Sequence, residues 1–160
     1  MGVRIGGRKN LEDKNMKVIN KKARFDYELG ERIEAGIELT GAEVKSAKLG
    51  QVDMENAHVK MQSARFKGQN EMFVINLHIY PYKHADNTNY DPKRMRKLLL
   101  HQKEIILLQS KMKQSGRMLV PTAMYTKSNY VKIELALARG KRKYEKREKI
   151  KKRDLEREEK

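Results

Sequence analysis

The chain has 160 residues and no cysteine, which excludes disulfides, thiolate metal sites and cysteine nucleophiles. Charged residues make up 36% and hydrophobic ones 38%, enough apolar material for one modest core with surplus charge left for tails and one face. A net charge of +16 asks for a phosphate-rich partner; an anionic membrane would need a basic helix with a strong apolar face, and none is legible outside the core segments.

Residues 1–19 are basic and Gly-rich at their start, without periodicity, and are expected to form a disordered arm. Met1–Gly7 lacks the apolar centre of a signal peptide, and no apolar run approaches spanning length, so a cytoplasmic location is expected. Phe25, Tyr27 and Leu29 alternate with Arg24, Asp26 and Glu28, which predicts a half-buried strand after the basic segment Asn20-Lys21-Lys22. Gly30 predicts a turn into a second strand, where Ile33, Ala35, Ile37 and Leu39 recur at period two and Glu34 and Glu38 face the other way. Thr40 and Glu43 have the spacing of a capping box, so a short helix is expected to begin there, with Lys45 and Lys48 near its end and Gly50 as its stop.

Ala57, Val59 and Met61 predict a further strand, Lys67-Gly68-Gln69-Asn70 a turn, and Phe73 to Ile79 a strand returning from it. Tyr80 to Tyr90 has no periodicity and the length of a functional loop. Asp91-Pro92 reads as a helix start, and Met95, Leu98, Leu99, Gln102, Ile105, Ile106, Gln109 and Met112 follow helical spacing as far as Gly116. Met118 to Val120 begins a strand that Pro121 confines to an edge or a bulge. Lys127-Ser128-Asn129 predicts a turn, and Val131, Ile133, Leu135 and Leu137 a final alternating strand.

The sum is a mainly β domain over residues 20–139, with about six short strands, one short and one long helix. It fits a small β-barrel, of which the OB type is one. Residues 140–160 form a basic tail in which no core can assemble. Its pairs Glu145–Lys149, Glu148–Lys152 and Glu156–Lys160 have the helix-favouring i, i+4 order, worth only about 0.2–0.5 kcal/mol each. The tail is therefore expected to be disordered when free and helical on a polyanionic surface.

The residues leave several roles open. Lys21, Lys22 and Arg24 suit either a solvated surface or RNA contact. Glu34 is either a plain surface residue or an acceptor for base amino groups, whereas Glu43 serves the cap. Lys45, Arg94, Arg96 and Lys97 suit phosphate contacts, which position without specifying sequence. Tyr80, Tyr82 and Tyr90 either pack or stack on unpaired bases. None of the four histidines forms a metal-binding spacing, and there is no phosphate loop or dinucleotide fingerprint, so neither catalysis nor a cofactor is expected.

Four segments in order, Asn20-Lys21-Lys22-Ala23-Arg24, the stretch from Glu34 to Ser46, Asp91 to Leu100, and Leu137-Ala138-Arg139-Gly140-Lys141, resemble the family of small protein B, the bacterial SsrA-binding proteins. The resemblance runs from about Asn20 to the C-terminus. Phe25 departs from it, standing where many relatives have His, and the tail is shorter than in many of them.

The resemblance implies an OB-fold protein of trans-translation. Such a protein binds the tRNA-like domain of transfer-messenger RNA (SsrA), accompanies it to stalled ribosomes, and enables tagging of the nascent chain for proteolysis. It implies RNA contacts at Asn20, Lys21, Lys22, Arg24, Glu34, Lys45, Arg94, Arg96 and Lys97. It implies a tail, Arg139, Lys141, Arg142, Lys143, Tyr144, Lys146, Arg147, Lys151 and Lys152, that meets ribosomal RNA at the decoding site and in the messenger channel. Elongation factor Tu and alanyl-tRNA synthetase would be met only through the RNA, and the protein would act as a monomer without a membrane. The alternatives are a ribosomal or ribosome-assembly OB-fold protein and a metal-dependent RNA nuclease.

Overall fold

The computed structural model describes residues 16–63, 69–141 and 143–158, with side chains undescribed at 143–145 and 158. Nine strands and four helices follow one another among these residues: β1 (Lys17–Ile19), α1 (Lys21–Asp26), β2 (Tyr27–Ile37), α2 (Gly41–Lys48), β3 (Val52–Asp53), β4 (His58–Ser63), β5 (Asn70–Ile75), β6 (His78–Ile79), β7 (Arg96–Leu99), α3 (Gln102–Ser115), β8 (Met118–Lys127), β9 (Tyr130–Gly140) and α4 (Lys143–Glu158). Seven strands pair antiparallel in the order β1-β8-β9-β2-β7-β5-β4, and β3 pairs with β6. The sheet curls until β4 approaches β8. Its inner face buries Ile37, Met72, Val74, Leu98, Ile133 and Leu135, each contributing about 1.5–3 kcal/mol. Helix α3 adds Ile105 and Leu108 to the same core. This is the mainly β small barrel expected from the alternation, of the OB type that the resemblance implies. Among the described residues no helix is long and apolar enough to cross a membrane.

The expected capping box is present: Glu43 N–H donates to Thr40 Oγ1 at 3.3 Å and Thr40 N–H to Glu43 Oε1 at 3.0 Å. The Ser128-Asn129 turn is also present, with both residues at positive φ (50° and 67°), the left-handed geometry of a tight hairpin. Pro121 sits at a register shift between β8 and β9, the bulge that its missing N–H requires.

Other expectations need correction. The hairpin at Gly30 is a single strand, β2. Leu29 pairs with Ala138 and Arg32 with Ala136 on the same neighbour, so Gly30 and Glu31 form a bulge instead of a turn. Phe25 lies in α1, not in a strand, because Asn20 caps a helix by accepting Ala23 N–H at 3.1 Å. The strand expected over Phe73–Ile79 breaks at Asn76 (φ 58°), which resets the parity so that Val74, Leu77 and Ile79 are all buried. The helix read from Asp91 begins only after His101. Arg96 and Leu98 point inward while Lys97 and Leu99 point outward, the period of a strand. The ordered domain starts by residue 16, since β1 pairs with β8 and Met16 N–H donates to Thr126 Oγ1 at 2.9 Å. The rest of the expected arm, 1–15, and the first half of the turn at 67–70 lie outside the described residues.

Candidate nucleic-acid interface

Helix α2 brings Glu43 against the segment that leads into β7. Glu43 and Arg96 are both buried, and Arg96 Nε donates to Glu43 Oε2 at 2.6 Å. Arg94 Nη2 reaches Glu43 Oε1, also at 2.6 Å. Arg96 further donates to the carbonyls of Leu77 at 2.6 Å, Pro92 at 3.0 Å and Arg94 at 3.1 Å. Burial alone would raise the Glu43 carboxyl. The Thr40 amide and the two guanidiniums outweigh it and hold the carboxyl below its ordinary range. Arg96 is thus engaged on every side within the fold and cannot meet a phosphate. Arg94 keeps an exposed edge beyond its ion pair. Asn20, also expected at RNA, is buried; it donates to Met54 O at 2.9 Å and Pro121 O at 2.8 Å and so ties α1 to the barrel.

Glu34 lies on the outer face of β2, across from Glu134 on β9. Tyr125 OH donates to its carboxylate, and Lys127 Nζ stands 3.6 Å away. The Tyr125 hydrogen bond holds the Glu34 carboxyl low, against a smaller burial penalty, with Lys127 and Lys132 helping. Burial and then the same hydrogen bond to Glu34 push the Tyr125 phenol up. Arg32 pairs with Glu134 at 3.2 Å. Beside Glu34, Gly36 faces Leu99, and a Cβ at residue 36 would come within 3.1 Å of Leu99 Cβ. The result is an outward face carrying a fixed carboxylate, a phenol, lysines and an exposed Leu99, a mixture suited to base edges and sugars rather than to phosphate alone. Tyr125, Lys127, Lys132 and Leu99 were not singled out from sequence. The strand parity placing Lys132 and Tyr125 outward was the available signal.

Lys45 on α2 stands 5.4 Å from the centre of the Tyr82 ring. His78 and Tyr80 rings meet at 4.3 Å and Tyr82 and His84 at 5.5 Å, with Tyr80 exposed. Tyr90 packs inward and donates to Ile79 O at 2.7 Å. Lys97 pairs with Glu71 at 3.2 Å and stays half-exposed. Lys21 and Lys22 are exposed on α1, and Lys22 reaches Asn56 at 3.3 Å. Arg139 pairs with Glu28, and Lys146 with Asp26 at 3.3 Å. Arg147, Lys151 and Lys152 are exposed on α4. Arg142 and the side chains of Lys143 and Tyr144 lie outside the described residues.

A curled antiparallel barrel with a mixed polar, basic and aromatic outer surface defines an RNA-binding protein of OB type. The family model described as SmpB protein matches residues 17–160. The SsrA-binding protein of Halothermothrix orenii is 48% identical over 146 residues, covering 90% of each chain. That of Malacoplasma penetrans is 46% identical over 141 residues, 88% of this chain and 92% of the relative. A chain from a solved structure of tmRNA-SmpB and the bacterial ribosome is similar with a TM-score of 0.62 and 43% identity, over 79% of this chain and 85% of that one. The chain belongs to the SmpB family, the SsrA-binding proteins.

Proposed function

We propose that the protein binds transfer-messenger RNA through the tRNA-like domain and carries it to stalled ribosomes, enabling trans-translation. The observation that carries this reading is identity near 48% to an SsrA-binding protein across 90% of both chains. The barrel takes the place of a missing anticodon arm, and the tail enters the messenger channel at the decoding site. Elongation factor Tu and alanyl-tRNA synthetase are reached through the RNA. The protein acts by shape and charge, without chemistry, in the cytoplasm.

Lys21, Lys22, Arg24, Lys45, Lys97 and the exposed edge of Arg94 supply phosphate contacts. Glu34, with Lys132 and Leu99 beside it, reads unpaired base edges. Arg139, Lys141, Lys146, Arg147, Lys151 and Lys152 serve the ribosome.

The test is competition binding at near-physiological salt, with labelled tRNA-like domain challenged by excess bulk tRNA. The specific RNA is expected to survive a large excess. Equal competition would mean that charge alone drives binding, as in a general ribosomal protein.

A further inference from the structure

Among the described residues, the joint between β9 and the tail brings several basic groups together. Lys141 Nζ and Lys149 Nζ both donate to the carbonyl of Arg24, the first at 3.3 Å. Lys141 N–H also donates to Asp26 O at 3.0 Å, which fixes the chain at this point. Arg24 Nε is buried and meets no hydrogen-bond acceptor among the described residues. The carboxylate at hand, Asp26, is engaged by Lys146 at 3.3 Å. Burial, then the Lys141 ammonium, then the charges of Arg24 and Arg153 hold Lys149 below the usual lysine range.

Two ammoniums sharing one carbonyl oxygen keep several N–H donors unused. A buried guanidinium donor without an acceptor is unfavourable until one arrives. An oxyanion offers acceptors to the ammoniums and, once the Arg24 guanidinium turns to meet it, to Nε, and guanidinium favours such anions in forked geometry. A lipid surface suits the site poorly, because Ile150 and Leu155 do not share a face of α4 and supply no apolar stripe.

We propose that Arg24, Lys141 and Lys149 form one site for a phosphodiester of an RNA backbone at the joint between barrel and tail. This rests on the RNA-binding reading above. Because α1 and α4 each contribute, an occupied site sets the direction in which the tail helix leaves the barrel. RNA bound on the barrel then aims the tail.

The test uses the full chain and the NMR signal of the Arg24 Nε–H. Inorganic phosphate is titrated against chloride at constant ionic strength, and a short RNA duplex is then added. A saturable shift with phosphate only, reversed by the duplex and weakened about tenfold in Lys149→Gln, is expected. A linear drift equal in chloride overturns the site, and a saturable shift that the duplex leaves unmoved overturns its assignment to RNA. Lys149→Glu places a carboxylate where the anion would sit. It is expected to abolish the phosphate response while the tail helix, followed by circular dichroism, holds to higher salt. A wild-type phosphate response in that variant places the site elsewhere. Inorganic phosphate reads this site without any specific RNA. Failed selectivity in the tRNA competition therefore strikes the proposed function, while a silent Arg24 signal beside intact selectivity strikes this site alone.

Discussion

Arg96 Nε donates to Glu43 Oε2 at 2.6 Å, and both side chains are buried. The pair locks α2 to the segment before β7, and it does so in a place where neither charge can return to water. Removing Arg96 leaves the buried Glu43 carboxylate with Arg94 as its one guanidinium partner, and breaking a buried pair in this way typically costs up to about 3–5 kcal/mol. Arg96→Met is expected to lower stability by that order in urea unfolding. The double variant Arg96→Met with Glu43→Gln is expected to regain part of the loss. Additive losses in the double-mutant cycle would show that the two groups are not coupled.

Glu43 also sets an acid limit. Its carboxyl lies below the ordinary 4.5 in the folded protein. The group therefore contributes stability that is fully present above the unfolded value and is lost as pH falls through the folded one. Urea midpoints measured downward from about pH 5 are expected to fall, and less steeply in Glu43→Gln. Parallel slopes for the two proteins would assign acid sensitivity to other carboxylates.

Glu34 and Lys132 predict opposite signatures on one face. Glu34→Gln removes an anionic acceptor and is expected to cut the preference for the tRNA-like domain over bulk tRNA by about tenfold, with the salt slope kept. Lys132→Ala is expected to flatten the slope by up to about 0.9 per lost duplex phosphate contact. Binding in graded salt with both RNAs separates the two. An unchanged preference in Glu34→Gln would reduce that residue to a partner of Tyr125.

Deletion after Gly140 divides barrel from tail. Binding to free transfer-messenger RNA is expected to stay largely intact, apart from at most about one phosphate contact in the salt slope, while tagging on stalled ribosomes is lost. Collapse of binding to the free RNA would reverse that division of labour.

Local chemistry was legible where it is self-contained. Thr40 with Glu43, Ser128-Asn129 and Pro121 each announce a cap, a turn and a bulge without help from elsewhere in the chain. The segment Arg96–Leu99 was not legible, because four residues fit a helical and a strand period alike. What decides is Glu43, fifty-three positions earlier, which needs a guanidinium pointing inward. Asn20 illustrates a different limit. Lys and Asn read as RNA-facing by residue type, yet the Asn side chain is drawn inside by Met54 and Pro121, which no local pattern reveals. The outer face around Glu34 was half visible: the carboxylate stood out, and its neighbours Tyr125 and Leu99 required the strand order.

The segment between β6 and β7 is strapped at its far end: Tyr90 OH is tied to Ile79 O, and Arg96 to the carbonyls of Leu77 and Pro92. Asn87 Nδ2 donates inward to Tyr82 O and Ala85 O at 2.9 and 3.1 Å. The rings of Tyr80 and Tyr82 are therefore presented on a scaffold whose ordering, about 1–2 kcal/mol per residue, was met during folding. Encounter with RNA need not wait for this arm to settle. For an RNA that docks on this arm, the on-rate would be left to long-range attraction and would fall steeply with salt, and discrimination between RNAs would be carried by how slowly the right one departs.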